Sequence, residues 1–367
     1  MSKARKLWRI GWRLTVCALL MGWIFHAIFM NEGRLALTAQ GENWEELSRW
    51  EQWRAAWRLG PPALWSELRQ VQPAAFVLSL LFMGGTLLLG IQRWRMALRV
   101  HGLDLSFARA AEISLVAHFF NSFMLGSTGG DLIKAYYAAR ETHHKKPEAV
   151  MTVVVDRLIG LWSMLLFAGL MMLFHLPLLA TQESLGVTAA LILAMLCGCS
   201  VLAVLAFWGG LSRRWPGARQ LLRRLPRGEW LEKLLESCRE FGRAPGFLLK
   251  ALALSMLLNV VCVGQYWALG RGLGLGIPPS LYLLLVPMII CIAALPITPS
   301  GLGVRENLFV LLLSGPAIGA PSTTALSLSL LAYAGFLLWS LAGGVVYITF
   351  REKHQLQEVT ASPAAEG

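Results

Sequence analysis

Six stretches of this sequence are nearly continuous apolar runs, at about 10–30, 74–92, 150–174, 187–209, 247–269 and 325–349. A helix needs roughly 20 such residues to cross the hydrocarbon core of a bilayer. A water-soluble core has no use for so many runs of that length. Composition agrees: 56% of the chain is hydrophobic and only 15% charged, against roughly 45–50% and 25% in soluble domains. The expected class is an all-α integral membrane protein. The basic start (Lys3, Arg5, Lys6, Arg9) and the apolar run behind it have the outline of a signal peptide. No clean small-residue cleavage site follows, so the run reads as a retained first span.

Two further apolar pieces do not fit a simple crossing. One runs from about Phe107 to Leu125 and stops at Gly126, Ser127, Thr128, Gly129, Gly130 and Asp131. The other runs from Leu281 to Leu313 and is broken between Pro296 and Gly303. Gly, Pro, Ser and Thr at these densities end helices. Charge decides what the pieces do. Cytoplasmic loops collect Arg and Lys. By that rule the first tail is inside, and so are the segments with Arg93, Arg95, Arg99 and Arg109, with Lys134, Arg140, Lys145 and Lys146, and with Arg213 through Arg243. The tail with Arg351 and Lys353 is also inside, whereas the segment 31–72 mixes both signs and reads as outside. Residues 93–109 and 134–148 then share one side, and the apolar piece between them must enter and return. Parity asks the same of 281–314; the alternative is that this piece crosses and the final span count changes.

The expectation is therefore about six full spans plus two re-entrant helical hairpins, in a single polytopic membrane domain over 1–350. Halves at about 1–175 and 187–350 would form an inverted-topology repeat, an arrangement common in secondary transporters. Both termini would be cytoplasmic, in the cell (plasma or inner) membrane, with 351–367 a disordered tail. Trp44, Leu47, Trp50, Trp53 and Trp57 fit one stripe of a helix that lies on the outer surface or packs against the bundle. Leu221 to Leu235 fit a similar basic helix inside.

The net charge of +12 is accounted for by those cytoplasmic residues. No nucleic-acid module is present and no nucleic acid is expected as a partner. Six scattered cysteines have no ligand spacing, so no metal is expected. The glycines 270, 272, 274 and 276 lack the βαβ setting of a dinucleotide site. No cofactor and no catalytic residue is assigned.

Ionisable groups at membrane depth are costly and mark functional candidates. Four places qualify. Asp131 follows Gly129 and Gly130 at the first break, with Lys134 one turn on. Asp156 and Arg157 begin the third full span. Arg305 and Glu306 follow the second break, after Pro296, Gly301 and Gly303. Asn121 is polar within the first hairpin arm. Glycines let backbone approach a ligand. A helix that starts after each break aims its first N–H groups inward, which suits an anion. Lys134, Arg157 and Arg305 would add cationic donors, and Asp131, Asp156 and Glu306 would orient them or carry a proton. The bland alternative is that these charges only pair to hold the hairpins in place.

At these residues the chain resembles a known family. Gly129, Gly130 and Asp131 with Asn121 and Lys134 look like the glycine–glycine–aspartate motif of the lysylphosphatidylglycerol synthase transmembrane (flippase-like) family. Val154 to Gly160, around Asp156 and Arg157, looks like its acidic–Arg motif. Leu295 to Glu306 looks like its Pro/Gly-rich Arg–Glu motif. The likeness spans roughly 75–350. This chain has Met124 and Leu125 where the family often has Pro, and Lys134 where it often has Arg. Its bifunctional members carry a soluble aminoacyltransferase domain that this 367-residue sequence lacks, so lysyl transfer is not expected. The resemblance implies movement of an anionic lipid between leaflets, an anionic phospholipid or a polyprenyl phosphate. A membrane transferase acting on a lipid-linked sugar, and an accessory subunit that only scaffolds a partner, stay open. So does a homo-oligomer.

Overall fold

In the computed structural model the described residues are 43–122, 129–142, 145–207, 238–295, 300–301, 303–316, 318–350 and 357–358, with scattered positions from 26 to 41. Almost all of them are helical. Five helices are long and apolar enough to cross a membrane: α2 (Pro73–Val100), α5 (Lys146–Leu173), α7 (Glu183–Phe207), α8 (Pro245–Gly272) and α11 (Ser322–Thr349). The chain is a multi-pass membrane protein. Most of the run at 10–30, the basic helix at 221–235 and most of the 351–367 tail lie outside the described residues. Of that tail, Gln357 and Glu358 pair with Leu103 and Asp104 as a two-residue antiparallel bridge.

Ahead of the spans, Ser48 starts α1 (Arg49–Gln70). Its hydroxyl accepts from Glu51 N, while its own N–H donates to the Glu51 carboxylate at 2.9 Å. This reciprocal cap satisfies two donors that a helix start leaves over. Trp50, Trp53 and Trp57 lie exposed along α1, as the stripe predicts. Trp44 falls outside it, in a separate 3₁₀ turn. α2 and α8 both open on proline, which has no N–H to leave unsatisfied at a first turn.

Between the long helices lie short ones. α3 (Phe107–Asn121) and α4 (Gly129–Glu141) have 15 and 13 residues. α9 (Pro279–Ala293) and α10 (Val304–Leu313) have 15 and 10. None reaches across a core of about 30 Å, since 15 residues extend only about 22 Å. The order long, short, short, long thus occurs twice, as α2–α5 and as α8–α11. A six-residue helix, α6 (Leu176–Thr181), leads from α5 to α7.

The chain divides into two compact units, each drawn from separated segments. The first holds 1–84, 115–130 and 262–351, and the second 85–114, 131–261 and 352–367. In the second unit, Ala97 of α2, Val155 and Ile159 of α5 and Ala251 of α8 form a core with Phe241. In the first, α10 packs on α11 and α9, and Tyr266 of α8 stacks on Phe309 of α10 at 5.2 Å. Ser122 at the end of α3 shares a 2.6 Å hydrogen bond with Ser340 of α11.

Two arginines sit differently from their sequence placement as loop charges. α2 continues in helix to Val100, well past its apolar run, and carries Arg93 into a buried position. Arg109, in the first turn of α3, is also buried. Its Nε and Nη2 donate to the Glu141 carboxylate at the end of α4, at 2.8 and 2.6 Å. That fork ties the base of the first hairpin, so both arms start and finish at one level. Breaking a buried pair strands the other charge and costs about 3–5 kcal/mol. Arg109→Ala is therefore expected to lower the melting temperature in detergent by several degrees. Arg109→Met with Glu141→Leu, which removes both charges, should recover most of that loss.

Candidate functional site

The charges named from the sequence gather into two groups, one in each unit. In the second unit, Arg93 of α2, Lys134 of α4 and Asp156 of α5 meet. Arg93 Nε donates to Asp156 Oδ1 at 2.7 Å, and Lys134 Nζ lies 3.6 Å from Asp156 Oδ2. One carboxylate is thus divided between two cations. Arg93 Nη1 donates to Ser255 Oγ of α8 at 2.9 Å. Ser255 in turn donates to Ala251 O, which leaves its oxygen facing the arginine.

Lys134 has a second support. Its ammonium stands 4.3 Å from the centre of the Trp94 ring, close enough for a cation–π attraction. The indole is fixed by its own N–H, which donates to Thr152 of α5 at 3.1 Å. Arg93 and Trp94 are consecutive on α2, so this one stretch positions both partners of the α4 lysine. α5 leaves room for them. A Cβ at Gly160, one turn after Asp156, would come within 2.9 Å of Arg93 Nη2.

Beside this triad, Arg157 Nε lies 3.4 Å from Asp131 Oδ2. The side chains of this pair are 31% and 29% exposed, against 11% for Lys134 and 10% for Asp156. The site therefore has a buried end and an open end. Ser255 and Arg93 were not among the residues singled out from the sequence. The available signal was phase: Ile91, Trp94, Ala97 and Leu98 are buried around Arg93 in one helical stripe.

The other group belongs to the second break. Arg305 Nη2 donates to Glu306 Oε1 at 2.6 Å, and its Nε donates to Ser329 of α11 at 3.0 Å. The guanidinium also lies 4.7 Å from the Tyr333 ring centre. Glu306 Oε2 accepts from Gly303 N at 2.6 Å. That backbone N–H, expected to be open for an anion, is taken by the helix's own acid. Gly301 and Gly303 stand at φ +71° and +82°, a region L side chains avoid. Pro296 lies outside the described residues.

The first break shows the same economy. Gly130 N donates to Asn121 Oδ1 at 2.8 Å, and a Cβ at Gly130 would collide with Ala117 O. Asn121 is thus the hairpin's internal cap, and Gly129 is buried beside Gly130. Ser300 from the second break donates to Asn121 O and Ser122 O at 3.2 and 3.0 Å. The two hairpins are therefore hydrogen-bonded at the end of α3.

Each of these groups falls in a stretch, residues 48–344, that matches the family described as the lysylphosphatidylglycerol synthase TM region. The chain belongs to that family. The match opens at the cap of α1 and closes within α11, so it takes in every helix that carries a site charge. No curated protein and no solved structure matches the chain. Within this lysylphosphatidylglycerol synthase TM region, the long–short–short–long segments carry all the buried charge pairs described above.

The close fit at Gly160 makes a direct test. Gly160→Ala is expected to push the Arg93 guanidinium off Asp156 and cost about 1–3 kcal/mol, as overpacking does. Gly198→Ala in α7, where a Cβ meets nothing within 4 Å, should be neutral or slightly stabilising. Thermal unfolding of both variants in detergent, compared with the parent, reads the difference.

Proposed function

We propose that this protein moves an anionic, phosphate-bearing lipid between leaflets of the cell membrane, and that Lys134 and Arg157 receive the headgroup. The observation that carries this is the graded site in the second unit. Cations and carboxylates sit together on membrane helices, sealed at Asp156 and open at Asp131–Arg157. Charge at that depth is expensive and persists where it is used. Arg157 offers donors at the open end, and Lys134 offers an ammonium at the buried end, beside Asp156. Asp131 and Asp156 hold them in place between substrates.

Arg305 takes a different role in this reading. Its guanidinium is engaged by Glu306, Ser329 and Tyr333, and the pair is closed off at 9% and 3% exposure. We assign Arg305 and Glu306 to holding the second hairpin against α11. Glu306 has both carboxylate oxygens occupied, so it does not suit the base that a lipid-linked transferase would need.

The inverted repeat completes the proposal. Position 22 of α2, Trp94, meets position 6 of α4, Lys134. Position 22 of α8, Tyr266, meets position 6 of α10, Phe309. The third residue of each second arm is an acid, Asp131 and Glu306. Matched contacts at matched positions support two copies of one unit, and the charge rule sets them in opposite orientation with both termini cytoplasmic. The hairpins would then be re-entrant, each returning to the side it left.

Single cysteines at the exposed positions Lys146 and Pro316, in a chain without its six native cysteines, test the orientation. An impermeant thiol reagent should reach Pro316→Cys from outside and Lys146→Cys only from inside. Labelling of both from one side would rule the inverted repeat out.

Transport is tested by leaflet exchange of fluorescent phosphatidylglycerol, phosphatidylethanolamine and a short polyprenyl phosphate in liposomes containing the purified protein. Faster exchange of an anionic lipid is expected, falling at least about tenfold in Lys134→Ala and Arg157→Ala, the loss of one charge-assisted contact. Unchanged exchange in both variants, with folded protein, would remove these residues from the headgroup site.

A further inference from the structure

The site in the second unit has an odd number of charges. Arg93, Lys134 and Arg157 contribute three positive charges, and Asp131 and Asp156 two negative ones. Arg157 is matched by Asp131. Arg93 and Lys134 share Asp156, and the sharing is unequal. Arg93 holds Oδ1 through a hydrogen bond of 2.7 Å and is further fixed by Ser255. Lys134 stands at 3.6 Å from Oδ2, beyond good hydrogen-bond length, and leans on an aromatic face. The group at Arg305 and Glu306, in contrast, sums to zero.

We infer that the second-unit site selects a lipid headgroup of net charge −1, a phosphodiester with an otherwise uncharged remainder, over phosphomonoesters and over zwitterionic or cationic headgroups. The formal charges of these five side chains sum to +1, and the surplus lies with the Arg93–Asp156–Lys134 triad. In a low-dielectric setting an uncompensated charge is costly, and so is overcompensation. A headgroup of net charge −1 brings the sum to zero. A phosphomonoester carries about −1.5 to −2 at neutral pH and leaves the site negative. A zwitterion leaves it positive, and a cationic headgroup adds to the excess.

The geometry assigns the parts. Arg93 is the fixed cation: its Nε donates to Asp156 and its Nη1 to Ser255, in space that Gly160 leaves for it. Lys134 is the cation that turns to the phosphate, because its bridge to Asp156 is long and its ammonium keeps donors to give. The Trp94 face beneath it attracts a cation but offers nothing to a second phosphate charge. In the other hairpin Phe309 stands where Lys134 stands here, so that hairpin lacks the cation this selectivity needs.

The inference rests on the headgroup reading above, and the experiment separates the two. Binding of phosphatidylglycerol, phosphatidic acid and phosphatidylcholine with identical acyl chains is measured on the purified full-length protein in detergent. At pH 8 phosphatidylglycerol should bind at least about tenfold more tightly than either of the others, the effect of one uncompensated charge. Lowering the pH to 5 protonates phosphatidic acid toward −1, its second pKa being near 6, and its affinity should rise toward that of phosphatidylglycerol. Lys134→Gln should abolish the preference, and Lys134→Arg should restore it. Phosphatidic acid binding at pH 8 as tightly as phosphatidylglycerol would overturn the charge selection and leave the headgroup site standing. Binding of none of the three would overturn the headgroup reading itself. The comparison of the three lipids at pH 8 uses the parent protein, so it decides the matter even where Lys134→Gln fails to fold.

Discussion

The sharing of one carboxylate by two cations is the constraint from which the rest of the site follows. Asp156 cannot be removed without stranding Arg93 and Lys134 together inside a membrane helix bundle. Three helices are committed by that arrangement: α2 supplies Arg93, α4 supplies Lys134 and α5 supplies Asp156. Ser255 brings in α8. A bundle of lipid-soluble helices has little hydrophobic drive to choose one packing over another. Ionic groups that must find partners can choose it. The second break solves the same problem more locally. Arg305 and Glu306 are adjacent in sequence and close on each other, so they fix a hairpin to α11 without leaving charge over.

Much of this was legible in the sequence, and the legible part has a common cause. Five of the six apolar runs are helices, four of them within a few residues of their expected limits, while α2 runs on to Val100, past its expected end near 92. At the second break Gly301 and Gly303, at φ +71° and +82°, keep α9 and α10 apart, because a helix cannot continue through such residues, whereas Gly129 and Gly130 of the first break stand inside the first turn of α4. Asp131, Lys134, Asp156, Arg157, Arg305 and Glu306 stood out because charge beside apolar runs is rare. Those are local signals. Who pairs with whom is not local. Asp131 with Arg157, and Lys134 with Asp156, each join α4 to α5 in a way that no periodicity specifies.

Arg93 and Arg109 show where the reading fails and why. Counting Arg and Lys near the ends of apolar runs treats every such residue as a loop charge. The rule holds on average, and it discards the buried minority. Arg93 was assigned to a loop because the apolar run stops near residue 92, yet α2 stays helical through Val100. Its neighbours Trp94, Ala97 and Leu98 are fully buried, so the stripe continues through the arginines with polar residues now in it. Arg109 escaped for the mirror reason: its partner, Glu141, lies 32 residues on, at the far end of the same hairpin. An arginine in phase with a buried stripe is better read as a partner awaiting an acid.

The two long–short–short–long segments show how one framework can serve two ends. In both, an aromatic residue late in the first long helix packs on the sixth residue of the second short helix. In one that residue is Lys134 on Trp94, and in the other Phe309 on Tyr266. Replacing an ammonium by a phenyl ring keeps the stacking and removes the charge. The acid at the third position then changes partner. Asp131 reaches to Arg157 on the following long helix and stays partly open to solvent, while Glu306 folds back on its own Arg305 and Gly303 and is sealed. A carboxylate that closes on its own helix stabilises a turn. One that holds a cation from another helix ties the two helices together and leaves the pair partly open to solvent. The difference between the closed hairpin and the partly open one goes, on this framework, with the residue that stands sixth.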